Sequence, residues 1–280
     1  MKFPIKLKRD RGKIPGFGLS LGLSLSYLSF LILIPISALV LYAAKMPIGE
    51  YLKIISDERV IAAFKVSFSS AIIAALVNLV FGFIIAWVLV RYNFWGKKFF
   101  DAIIDLPFAI PTAVAGISLA TIFSPKGILG KLLLNFDISL GYSRIGIIIA
   151  LAFIGFPFVI RTVQPVIEEL DNTVEEAAAS LGANFFQTFR RITFPAVLPA
   201  LITGTTMAFA RGIGEYGSVI FISSNMPYES EIVPLLIVKK LMSFDYLGAS
   251  AIGTTMLIIA FVMMLVTNFL QNYMLRRRSS

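Results

Sequence analysis

Arg211 and Glu215 stand four residues apart inside one of the apolar stretches of this 280-residue chain. At that spacing two side chains share a helical face, so an ion pair within the helix is geometrically easy. Either charge alone at membrane depth costs ~2.5–3.5 kcal/mol on insertion scales. One reading is a mutual structural pair turned toward neighbouring helices. The other is a pair that lines or gates a path for an anion. A guanidinium forks two donors onto an oxyanion, and a carboxylate partner keeps it from holding that anion permanently. Glu168-Glu169 and Glu175-Glu176 are paired carboxylates, but no pocket is implied around them and they read as a solvated helix face. Gly212-x-Gly214-x-x-Gly217 has the letters of a dinucleotide fingerprint without the strand and βαβ setting that motif requires. Neither GxxxxGKS nor GxxxxGKT occurs, so the chain has no P-loop to cradle ATP phosphates. With no Cys and no His, zinc sites, haem-ligating histidine, cysteine nucleophiles, histidine triads and disulfides are excluded.

The elements that must position these residues are membrane spans. The chain is 58% hydrophobic with a mean hydropathy of +0.86. Its apolar residues run in blocks long enough to cross ~30 Å of hydrocarbon at ~1.5 Å per residue. They fall near 17–44, 66–90, 102–123, 145–160, 196–222 and 249–270. The first block is about twice the 7–15 residues of a signal-peptide core, so it reads as an uncleaved first span. The pattern predicts an all-α, polytopic membrane protein with six transmembrane helices. It has one transmembrane domain (17–275), a tail over 1–16 and another over 276–280.

Six spans place both termini on one side. Lys and Arg number fifteen on that side and nine on the other, which predicts cytoplasmic termini. The net charge of +9 is thus mostly orientation, and nucleic acid is a poor reading. Pro35, Pro107, Pro111 and Pro157 punctuate three spans. They are expected to kink helices, either for packing or around a pathway. A small residue every fourth position (Ala200, Gly204, Ala208, Gly212) predicts close helix approach and makes the fifth span central. The apolar core 232–238 is too short to cross and predicts a re-entrant or surface helix on the external side.

Asp171 to Pro195 is the longest charged interval between spans. Val174, Ala178, Leu181, Phe185, Phe189 and Ile192 mark one helical face through it. Thr173 and Glu176 have capping-box spacing, Leu181-Gly182 reads as a helix end, and Asn184 caps a second short helix over 185–191 that stops before Pro195. A first helix of only ~13 Å is marginal alone in water and should be held by docking.

Glu176-Ala177-Ala178, then Gly182, Ile192 and Pro195, is similar to the EAA loop of ABC-importer permease subunits, with Phe194 where that pattern has Leu. The resemblance implies a type I importer-like permease of the inner membrane. It also implies that this loop seats in a cleft of an ATPase subunit and couples ATP hydrolysis to the spans. Glu176 and Gly182 would be the coupling residues, Ala177 and Ala178 would pack beside them, and Ile192 and Pro195 complete the set.

Phe158-Val-Ile-Arg161-Thr-Val-Gln-Pro165, Leu106-Pro-Phe-Ala-Ile-Pro111 and Phe209-Ala-Arg211-Gly-Ile-Gly-Glu215-Tyr-Gly217 resemble the sulfate and molybdate branch. Gly217–Pro227, Glu231–Ile237 and Asp245–Ile252 resemble sulfate/thiosulfate permease subunits of the CysT type. The branch implies sulfate or thiosulfate import without enzymatic activity or a cofactor of the chain's own, ATP being used by the partner. Its implied partners are a homologous second permease subunit in a heterodimer, two cytoplasmic ABC ATPases, an extracytoplasmic sulfate-binding protein and membrane lipid. Arg211 and Glu215 would then face the translocation path, and the 223–240 segment would close the external mouth or receive the binding protein. The alternatives are a molybdate/tungstate permease and an ion-coupled secondary anion transporter. The latter has no reason to keep an ATPase-docking loop.

Overall fold

A computed structural model describes residues 17–136 and 139–276. The expectations for the basic N-terminal tail and for the last four residues lie outside that range. Among the described residues the chain is helical, with no strand. The first helix, α1 (Phe17–Ala43), meets Pro35 with a π turn over Ser29–Leu33. A proline has no N–H to give its helix, and a locally wider turn absorbs the mismatch. A short amphipathic helix, α2 (Ile48–Ile55), leads to α3 (Glu58–Arg91). Asp57 caps α3 by accepting from the Arg59 and Val60 amides at 3.0 and 3.3 Å. At 34 residues, α3 is about 51 Å of uninterrupted helix.

The third crossing departs from the single helix expected over 102–123. It is divided into α4 (Lys97–Ile104), α5 (Leu106–Ala109), α6 (Thr112–Phe123) and α7 (Ile128–Leu134). Ile110 is extended, as a residue before proline prefers, and Pro111 cannot donate across the break. A bend of 42° separates α6 from α7. The fourth span is longer than expected: α8 (Arg144–Glu168) carries Pro157 and Pro165 without breaking.

Then come α9 (Asn172–Ser180) and α10 (Phe185–Ile213). The second short helix does not stop before Pro195. It runs on through a π turn at Phe189–Thr193 into the fifth span, the same accommodation of proline as in α1. The fifth span in turn ends at Ile213, nine residues short of the expected limit. A break over 214–218 precedes the single turn α11 (Val219–Ile222). The short helix expected after it is α12 (Val233–Met242), and α13 (Tyr246–Arg276) closes the bundle. Among the described residues five helices are long and apolar enough to cross a membrane, and six if α6 and α7 form one bent span.

The core is the packing of α3, α8 and α10. Buried Val159, Ile160, Val163, Val197 and Leu201 fill one half of it. Ile147, Leu151, Ile213 and Ile222 fill the other. The small-residue stripe does what its spacing predicts. Gly204, Ala208 and Gly212 are buried, and a Cβ on Gly204 would sit 2.8 Å from the Cα of Val159.

Candidate functional site

The loop between α8 and α10 is set by its caps. Asp171, not Thr173, is the N-cap of α9: its carboxylate accepts from the Thr173 amide at 2.9 Å. The predicted Thr173–Glu176 box therefore does not form, because the helix begins earlier than that spacing assumed. The box appears instead at Asn184 and Gln187, whose side chains accept reciprocally from each other's amides at 2.9 Å. At the other end of α9 the Ala183 amide donates to Ala178 O and the Gly182 amide to Ala179 O. That is a Schellman closure, with Gly182 at φ +83°. An L-residue pays for that φ and glycine does not.

The expected apolar stripe divides in two. Leu181 and Phe185 are 90% and 78% exposed, and Val174 is exposed with them. Phe189 turns inward instead. Its ring lies edge-on to Trp87 at 5.8 Å and against Phe83 and Phe194 at 6.1 and 5.8 Å. Glu176, Ala177 and Gly182 are exposed, whereas Ala178, Ile192 and Pro195 are half-buried. Gly182 and Ile192 share a concavity of about 240 Å³ with Leu181, Gln187 and Arg191. The other predicted loop residues lie outside it.

Glu175, read from sequence as solvated, is turned toward the spans. Its Oε1 accepts from Arg91 Nη2 at 2.6 Å and from the hydroxyl of buried Thr193 at 3.0 Å. The Arg91 guanidinium also lies 5.2 Å from the Trp87 ring. Nothing local in the sequence points to this contact, since Arg91 is 84 positions away.

The Arg211–Glu215 pair forms as the spacing predicts, at 2.6 Å, but the two members have different surroundings. Glu215 lies beyond the end of α10, is 2% exposed, and accepts from the Ser218 amide and hydroxyl at 2.9 and 3.1 Å. It closes the break in the fifth span. Arg211 keeps 36% of its side chain accessible, on the same outer face as exposed Met207, Ala210 and Gly214.

Two further ion clusters hold the bundle together. Arg161 on α8 grips Asp105 through Nε and Nη2 at 2.8 and 2.7 Å and Asp101 through Nη1 at 2.6 Å. At the end of α3 remote from Arg91, the carboxylate of Glu231 is buried. It accepts from Arg59 Nε and Nη2 at 2.7 and 2.8 Å and from Lys239 Nζ at 2.6 Å.

Residues 78–280 match the family model described as "binding-protein-dependent transport system inner membrane component". The "sulfate transport system permease protein CysT" of Salmonella typhimurium is 45% identical over 268 residues, covering 96% of this chain and 97% of that one. The protein of the same description from Synechococcus elongatus is 46% identical over 247 residues, covering 88% and 89%. In three dimensions the chain is similar to one from a bacterial ABC transporter involved in the import of alginate. The TM-score is 0.76 at 18% identity, with 92% of this chain and 96% of that one covered. A chain of an inward-facing methionine ABC transporter matches at a TM-score of 0.54 and 16% identity, over 79% and 98%. At such identities the likeness is one of fold.

Proposed function

The chain belongs to the family of inner membrane components of binding-protein-dependent ABC transport systems, and from that premise we propose that it is the membrane-spanning subunit of a sulfate importer. The observation that carries this reading is the 45% identity over nearly the whole chain to permeases named for sulfate transport. A second permease subunit, homologous but distinct, shares the translocation path with it, and paired ATPases on the cytoplasmic side drive alternating access. An extracytoplasmic binding protein delivers the anion, with thiosulfate accepted beside sulfate.

In this reading both termini and the 171–195 loop are cytoplasmic. Leu181, Phe185 and the concavity beside Gly182 form the surface that an ATPase cleft covers. Their exposure supports it, since apolar groups that project this far from a short helix need a partner. Glu176 contacts the ATPase from the same exposed face of α9. The anion passes along the outer face of α10, where Arg211 is the accessible cation.

The experiment is uptake of labelled sulfate by cells lacking their own permease pair. The chain is expressed with its second permease, ATPase and binding protein. Uptake that depends on this chain and resists competition by molybdate is expected. Uptake abolished by equimolar molybdate overturns the sulfate assignment in favour of the other oxyanion.

A further inference from the structure

We propose that Glu175 is a positioning residue that latches the cytoplasmic helix α9 to the end of α3, so that displacement of the loop is delivered to that span. The proposal rests on the coupling reading above and assigns the mechanical contact within it. Adjacent glutamates on α9 divide the work. Glu176 is exposed toward the partner, while Glu175 faces Arg91, the last residue of α3, and Thr193, the last residue of the π turn in α10. One carboxylate oxygen therefore ties together the loop helix, the second span and the start of the fifth.

The surroundings favour a stiff joint. The Arg91 and Glu175 side chains are only 18% and 30% exposed, so water screens the pair less than it would on an open surface. Trp87, one turn back along α3, carries the Arg91 guanidinium on one contact and the Phe189 ring on another. The polar latch and the aromatic packing thus restrain the same pair of helices. From Arg91 the helix runs unbroken to Arg59, which holds the buried Glu231 at the other end of the bundle. A push at the loop reaches the far segment 223–232 along a single rod. α10 also receives the push directly through Thr193, so both spans move with the loop rather than one sliding past the other.

The test uses the complete transporter, reconstituted with its second permease, ATPase and binding protein, and reads sulfate imported per ATP hydrolysed. Glu175→Gln keeps the shape and removes the charge. It is expected to retain ATPase binding and hydrolysis while lowering sulfate per ATP by about tenfold, the scale of one charge-assisted hydrogen bond. Arg91→Gln should give the same loss, and the double variant should be no worse than either single one. Additive losses overturn the latch, because they show two residues acting separately. Unchanged sulfate per ATP in Glu175→Gln overturns it as well. Leu181→Asp, on the exposed docking surface, separates that failure from failure of the docking reading. If Leu181→Asp uncouples and Glu175→Gln does not, the latch alone is wrong. If neither has any effect, the docking reading falls with it.

Discussion

Arg161 of the fourth span grips both carboxylate oxygens of Asp105, Nε on one at 2.8 Å and Nη2 on the other at 2.7 Å. Asp105 sits at the point where the third crossing breaks between α4 and α5. The Nη1 group holds Asp101 one turn earlier, and Nη2 also donates to the Asp101 carbonyl at 2.7 Å. An interrupted span loses the continuous helical ladder that would otherwise fix its direction. Here a single guanidinium restores that direction from the neighbouring helix.

Replacing Arg161 therefore tests the broken span. Lysine keeps the charge but loses the planar fork that fits two carboxylates at once. Because the partners are about half-exposed, Arg161→Lys should cost only about 1 kcal/mol. Arg161→Ala also removes aliphatic packing and should cost more. Thermal unfolding of the purified protein in detergent measures both, and equal midpoints for lysine and arginine would show that the fork contributes nothing.

This backbone demands glycine at both 182 and 204, for different reasons. A Cβ on Gly182 meets nothing within 4 Å, so Gly182→Ala should fail only through its positive φ, at about 1–2 kcal/mol. That cost falls on the loop. We expect faster proteolysis between α9 and α10 and weaker uptake, with the spans inserted normally. A Cβ on Gly204 would press on the Val159 backbone, so Gly204→Ala must push α8 away from α10, at about 1–3 kcal/mol. Gly212→Ala is the control on the same stripe. Its Cβ would lie 3.7 Å from Ala71, an ordinary contact, and thermal stability should hold.

Glu231 makes a pH-dependent prediction. Burial pushes its carboxyl up, but the hydrogen bonds from Arg59 and Lys239 outweigh burial and hold it below the usual carboxylate range. A folded-state value below the unfolded one means the clamp is fully stabilising above the ordinary glutamate value of ~4.3. It is lost as pH falls through the lower folded value. Wild type should therefore unfold at higher temperature than Glu231→Gln near neutrality, with the gap closing as the pH drops below that range. A gap that widens on acidification has the wrong sign for this clamp.

The helical class, the central fifth span and the Gly182 turn were legible because each depends on local spacing. A small residue every fourth position means the same thing wherever its partner lies. The breaks were less legible. Pro107 and Pro111 signalled a kink, yet whether a proline kinks, is absorbed by a π turn, or divides a span depends on what packs beside it. Pro195 gave the reverse error, because the helix expected to stop there passes through it. Glu175 shows the remaining gap. Its role is set by Arg91 on another helix, and helical phase alone could not distinguish a latch from a solvated glutamate.

The accessible Arg211 gives the sharpest test of the translocation path. Its carboxylate partner Glu215 is committed twice over, to Arg211 and to the Ser218 amide that closes the break after α10. Glu215→Ala orphans that buried amide and should lower thermal stability by about 1–3 kcal/mol. It is thus a poor probe of transport. Arg211→Gln leaves the Ser218 hydrogen bonds in place and removes the one cation on this outer face, from Met207 to Gly214; it also leaves the buried Glu215 carboxylate without its counter-charge, so uptake is read per assembled complex. We expect the complex to assemble and hydrolyse ATP while sulfate uptake falls by about tenfold or more, the scale of one charge-assisted contact. Arg211→Lys should recover part of that uptake, since it restores the charge without the fork. If Arg211→Gln assembles normally and transports like wild type, the pair is structural and the anion takes another face.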